Sequence, residues 1–361
     1  MRRWRGVGRL ATAVAVTAVV TGVLAGCTDT GPEEPPTGGG EPPAGEDDEA
    51  PSPPAELGVV LPPRDEIDAA LVDELAEHLS AFDRGGPLEI RGVRVEVPES
   101  GEFIDDVVNY LAEQGSQIVC VIGPQAAASA ERAAEVHRGA RFCAAPADDR
   151  PDSTALRLQV RAAELGHVVG LAARRHADVG PVAVLTGGGD VDGGAFSAGL
   201  EAGLAGVDVV TSSASAPFEE RVRDVLADEP TVVIVDGAAE ASAVVDLVGD
   251  AALLVGPDAV LADADDDVRL LTWRVRWEEV LAMAMPSLLG EGPGPVSFGA
   301  AESVFAVMFG GAAGDRLADD VAEAFDAFAD GTRDPHATPP GKRWEPPEDD
   351  EDGGAAADDD E

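Results

Sequence analysis

The chain has 361 residues, room for two compact lobes, and its 45% apolar content is enough to build real cores. A formal charge of −44 argues against nucleic acid or anionic lipid as electrostatically held partners, because both demand cationic faces. Lys342 is the only lysine, so arginine carries nearly all the positive charge; a saline exterior and a GC-rich genome account for that bias equally well.

The first 26 residues read as a signal peptide. Arg2, Arg3, Arg5 and Arg9 make a positive start, and Leu10 to Leu24 is apolar and uncharged. Leu24-Ala25-Gly26-Cys27 closes it and is similar to a bacterial lipobox, which implies cleavage before Cys27 and diacylation of its thiol. The alternative is an uncleaved anchor, although the apolar run falls short of the ~20 residues a span needs. Either way the remainder is expected on the extracytoplasmic face of the cell membrane. Residues 27–55 are rich in Pro, Gly and Glu and read as a disordered tether; residues 335–361 read as an acidic solvated tail.

Between them strands and helices alternate. Leu57–Leu61 predicts a strand, Ile67, Leu71, Leu75 and Leu79 one helical stripe, and Ile90–Val97 the next strand. A helix over Phe103–Leu111, a strand at Gln117–Ile122, an alanine-rich helix over Ala126–Val136 and a strand at Arg141–Ala145 complete this half. Cys120 and Cys143 lie at comparable depths on those strands, so a disulfide and a free buried pair are both open. The free pair is the expectation, because bridging neighbouring strands is geometrically demanding. A polar, Pro-containing break at Ala147–Thr154 is the expected first crossing between lobes.

The second half opens with a helix carrying Val160, Ala163, Val168, Leu171 and Ala172. Gly166 and Gly170 weaken that helix, which suggests that they permit close packing. A buried strand at Pro181–Thr186 follows, then three glycines, Asp192 as an N-cap, and a helix with Phe196, Leu200 and Leu204 on one stripe. Strands at Val207–Val210, Thr231–Val235 and Leu253–Val255 alternate with helices at Phe218–Leu226 and up to Val248. Val268–Thr272 is expected to return the chain to the first lobe, with a helix to Leu289 there, and Val304–Met308 and Leu317–Phe328 supply a last strand and helix. The fold class is therefore α/β: two doubly wound parallel-sheet lobes with a hinge. The expected limits are 56–148 plus about 268–290 for one lobe, and 149–267 plus about 291–334 for the other.

Glu164 with His167-Val-Val-Gly-Leu171, then Val182-Ala-Val-Leu-Thr-Gly-Gly188, then Phe196-Ser-Ala-Gly-Leu-Glu-Ala-Gly203, resembles the central motif of the basic membrane protein family. These are nucleoside-type substrate-binding lipoproteins of bacterial ABC transporters. The resemblance spans about Leu57 to Pro335 and implies a periplasmic binding protein type I-like fold. It implies a nucleoside-like small-molecule solute held between two lobes and handed to an ABC permease complex. Neither a cofactor nor a metal is implied.

Ligands of doubly wound sheets bind beyond the carboxyl ends of strands. The candidates there are Asp65, Gly187, Gly188, Gly237 and Asp258, with carboxylates suited to hydroxyls or cationic amines and poor for phosphates. By resemblance, Gly256-Pro-Asp258 matches the family's Gly-x-Asp, whose carboxylate holds ribose. Thr272-Trp-Arg-Val-Arg276 resembles its Thr-Ser-x-x-Lys, placing Arg276 where a ligand-side lysine stands. Gly237 and Phe196 fall on further site positions, Phe196 being equally readable as core. The family's Asp-x-Ser-Phe-Asn is replaced by Pro62-Pro63-Arg64-Asp65, and Pro146 replaces an Asp. Trp273 or Trp277 is then the available aromatic face for a base, and either is equally readable as packing at the lobe interface.

Nucleotide-loop, Rossmann, zincin and serine-hydrolase motifs are all lacking, and the histidines show no metal-ligand spacing, so no enzyme is expected. Asp263-Ala-Asp-Asp-Asp267 departs from a calcium loop at Val268 and Arg274. The runner-up is a degenerate relative serving as receptor or scaffold for a protein partner. A closed polar cleft would favour transport, and a filled or apolar one the scaffold.

Overall fold

The computed structural model describes residues 55–81, 90–123, 125–145, 154–177, 180–185, 194–212, 216–236, 240–289 and 297–337. Cys27, the signal peptide, the tether up to residue 54, Pro146, Gly187, Gly188, Asp192 and Gly237 lie outside them, and Ala55, expected in the tether, opens the first strand. No described helix is long and apolar enough to cross a membrane.

Strands β1 (Ala55–Val60), β2 (Ile90–Glu96), β3 (Ile118–Ile122), β4 (Arg141–Ala145) and β5 (Leu156–Arg157) form a parallel sheet in the order β2-β1-β3-β4-β5. Helices α1 (Ala69–Ala81), α2 (Ile104–Glu113) and α3 (Ala126–Val136) connect them. Apolar residues run almost unbroken along β3 because both faces are covered. Val119 and Val121 turn towards α2 and α3, while Ile118, Cys120 and Ile122 turn the other way, as a period of two requires. Strand β5 pairs with β4, so the first lobe extends past the expected boundary at 148. Two residues are too short a run for a pattern to reveal.

Cys120 and Cys143 stand opposite one another in the β3–β4 register and are joined by a disulfide, with Cα atoms 4.4 Å apart. This overturns the expected free pair: parallel register puts two side chains of the same face side by side. The bridge closes a loop across 23 residues of sequence, so the Cys120→Ala/Cys143→Ala double variant is expected to lose about 3 kcal/mol. Urea unfolding of the two proteins measures that difference.

The chain then passes through β6 (Gln159–Val160) into α4 (Ala162–His176). Strands β7 (Val182–Leu185), β8 (Val209–Thr211), β9 (Val232–Val235), β10 (Leu253–Pro257) and β11 (Arg269–Val275) form the second sheet, joined by α5 (Ala195–Gly203), α6 (Phe218–Leu226) and α7 (Val244–Val248). The order is β13-β11-β10-β9-β7-β8, all parallel except β13 (Phe305–Phe309), which runs antiparallel to β11. Strand β11 pairs with β10, so residues 269–275 belong to the second lobe and the return crossing comes at Arg276, not at Val268. Its apolar run continues straight into the crossing, and sequence offers no break between them. Helix α8 (Trp277–Leu289) packs in the first lobe, where Val280, Leu281, Ala284 and Met285 join Leu57, Val59 and Cys120. The last crossing includes β12 (Ser297–Phe298), paired with β6, and α9 (Asp315–Ala329) returns to the second lobe.

Helices α4 and α5 meet at a seam of glycines. A Cβ on Gly166 would run into the Phe196 carbonyl, one on Gly199 into that of Ala163, and one on Gly203 into that of His167. A Cβ on Gly170 would stand 2.6 Å from the Leu200 carbonyl oxygen. The expectation that Gly166 and Gly170 serve close packing is borne out, and α5 supplies two matching glycines.

The segment after α9 folds back on α4, where the His167 Nδ1–H donates to the Pro335 carbonyl at 3.0 Å and the ring meets Phe328 edge-on. His167 is 2% exposed, and burial, helped by Arg333 and Arg174, pushes its pKa down. A histidine depressed in the fold takes up protons more readily unfolded, so its stabilising effect is complete above its ordinary value of about 6.5 and is lost as pH falls through the folded value. Stability measured between pH 7 and 5 should fall more steeply for the native chain than for a His167→Gln variant.

Candidate functional site

Pro62 just beyond β1, Ile122 at the end of β3, Asp236 just beyond β9 and Pro257 at the end of β10 all border one cavity of about 140 Å³ between the lobes. Ends of strands in both sheets thus converge on a single space, as doubly wound folds favour. Its first-lobe wall is the α1 face bearing Leu71, Leu75 and Leu79. Opposite stand Ala162 and Leu165 of α4 with Phe196 and Trp273, whose rings stack 5.5 Å apart at 29°. Val160, Val275 and Trp277 close it from the crossings.

Two cross-lobe contacts flank the cavity. Asp68, only 2% exposed, accepts the Ala70 N–H at the start of α1 through Oδ1 (2.9 Å) and the Ser242 N–H of the second lobe through Oδ2 (2.8 Å). Arg274 of β11 donates to His78 Nε2 of α1 at 2.6 Å and lies 3.6 Å from the Glu278 carboxylate. His78 therefore accepts at that nitrogen. Glu74, one turn before it, has its pKa raised by burial and by the nearby Asp258 carboxylate, with His78 and Arg274 opposing.

Of the residues expected at the site, Phe196 and Trp273 stand in the wall. Asp258 lies beside the cavity, its Oδ1 accepting the Thr272 hydroxyl at 3.1 Å. Arg276 is in the crossing, where its guanidinium donates to the Ser303 carbonyl and lies 3.9 Å from Glu279. Asp65 is exposed on the turn after β1 and is not in the wall. Glu74, His78, Arg274 and Glu278 escaped sequence reasoning. The one signal was that Glu74 and His78 are four apart and flank the Leu71–Leu75 stripe.

The crossings are tied by charge. Glu164, buried in α4, accepts the Ala300 N–H at 2.7 Å and pairs with Arg161 at 3.1 Å; Arg161 also reaches Glu302 at 2.8 Å. Burial pushes the Glu164 carboxyl up, and the Ala300 N–H and Arg161 oppose it. Arg161, Glu164 and Glu302 thus fix the hinge segments.

No protein-family model and no curated protein matches the chain. Solved structures do. A solute-binding protein of an ABC transporter system from Aeropyrum pernix K1 superposes with a TM-score of 0.63 at 15% identity, over 80% of this chain and 94% of that one. A transcriptional activator of the comK gene from Bacillus halodurans gives 0.62 at 13% identity, over 78% and 100%. An ABC transporter periplasmic solute-binding protein from Actinobacillus succinogenes 130z, solved with bound D-allose, gives 0.53 at 15% identity, over 71% and 97%. At such identities the likeness is one of fold. The two-lobed α/β architecture of periplasmic binding proteins of type I is the one this chain adopts.

Proposed function

We propose that the chain captures a small solute between its two lobes as the extracytoplasmic binding protein of an ABC-type importer, moored through lipidated Cys27 and delivering to a permease complex. The observation that carries this reading is the cavity where strand ends of both sheets converge, bridged by the Asp68–Ser242 hydrogen bond. Closure of two lobes around a ligand buries it on both sides and so selects by fit.

Nucleosides are the class suggested by the resemblance to the basic membrane protein family. Phe196, Trp273 and Trp277 offer faces for a base, and Asp258 a carboxylate for hydroxyls. Isothermal titration of the purified chain against nucleosides, sugars and amines tests the reading; a folded sample that binds none of them defeats it.

One observation favours the second reading, a receptor or scaffold for a protein partner. The cavity wall is mainly apolar, with no Asn, Gln, Ser or Thr side chain among the described residues that border it. Under that reading the lobes serve as a rigid platform, and solute titrations stay flat while a protein partner co-purifies.

A further inference from the structure

We propose that the cavity takes a small organic cation with an apolar or aromatic body, an amine or a quaternary ammonium, in preference to a neutral nucleoside or sugar. The proposal rests on the solute-capture reading and narrows it to a chemical class.

The charge balance of the wall points that way. Glu74 and Glu278 border the cavity against a single arginine, Arg274, and Asp258 adds a third carboxylate from beside it. Arg274 is already engaged by His78 and Glu278, at 2.6 and 3.6 Å. Glu74 has the His78 ring at 3.7 Å, and the Nε2 of that ring is already taken by Arg274. Like carboxylates drawn together in a poorly hydrated space raise one another's energy, and a cation between them lowers it.

The remaining wall fits the body of such a molecule. Three aromatic rings border the space, Phe196, Trp273 and Trp277, and aromatic faces attract cations most when water is excluded. A dry cavity of ~150 Å³ holds one benzene ring, so about 140 Å³ suits a single ring or a branched alkyl group. A sugar or ribose fares worse, because most of its hydroxyls would face carbon and lose the partners they had in water. The chain's charge of −44 also concentrates cations near its surface and speeds their approach.

The test compares one body in three charge states: phenethylammonium, 2-phenylethanol and phenylacetate, titrated calorimetrically into the purified chain beside uridine and galactose. Phenethylammonium is expected to bind at least ~10-fold more tightly than 2-phenylethanol, with phenylacetate undetectable. In a Glu74→Gln variant, checked for unchanged circular dichroism, the preference for the cation should shrink several-fold while affinity for the alcohol holds. Equal binding of the cation and the alcohol overturns the cation proposal and leaves solute capture standing. So does binding of uridine or galactose without the cation. Silence from every ligand overturns both.

Discussion

Replacing Gly199 by alanine is expected to cost the fold about 3 kcal/mol or more, the upper range of overpacking penalties. The added methyl group would overlap the Ala163 carbonyl, a backbone group on a neighbouring helix that cannot turn aside as a side chain tip can. Relief requires α4 and α5 to separate, and separation strips packing from Leu200, Phe196 and Val169 in the same core. For a protein of this size the loss corresponds to a Tm lower by roughly 6–10 °C. Gly139→Ala is the control: a Cβ there meets nothing within 4 Å, so its Tm should be nearly unchanged. Calorimetric scans of the two variants side by side decide the matter. Equal Tm values would mean that the helices tolerate a wider seam than the structure has.

That seam also marks what could be read from sequence. Gly166, Gly170, Gly199 and Gly203 fall at four-residue spacing on two helical patterns, so their faces are fixed by the helix period alone. The buried strands were legible for a similar local reason, since Val232–Val235 or Ile118–Ile122 is apolar on both faces. The crossings were not. Whether residues 269–275 pair with β10 or leave for the other lobe depends on a hydrogen-bond ladder that no local pattern encodes. The cavity wall was half legible. Phe196 and Trp273 are large aromatic groups in an aromatic-poor chain and drew notice, whereas Glu74 and His78 look like any solvated helix edge. They face the second lobe only because the hinge swings it over α1, and that placement comes from the tied segments around Arg161, Glu164 and Arg276. The same reasoning accounts for Arg276: a cation expected at the ligand is held in the hinge by the Ser303 carbonyl.

Asp68 separates the stability of the lobes from the energetics of closing them. Its two carboxylate oxygens do different work, Oδ1 accepting the Ala70 N–H within the first lobe and Oδ2 the Ser242 N–H of the second. An Asp68→Asn variant keeps an oxygen for Ala70 and presents an amide N–H₂ to Ser242, donor against donor. Hydrogen bonds to a charged group contribute ~1.5–3 kcal/mol, so the closed arrangement should be disfavoured by about that much. Because α1 keeps its cap, the ligand-free chain should unfold within about 1 kcal/mol of the native protein. Solute affinity should drop about 10- to 100-fold, since a ligand that needs closed lobes must supply the lost closure energy itself. Small-angle scattering would show the ligand-free variant more open, and titration would show the weaker binding. An Asp68→Ala variant, which removes the cap as well, should lose both affinity and stability. If Asp68→Asn binds its solute as tightly as the native chain, the Ser242 contact is incidental and closure is governed by the His78–Arg274 contact on the other flank.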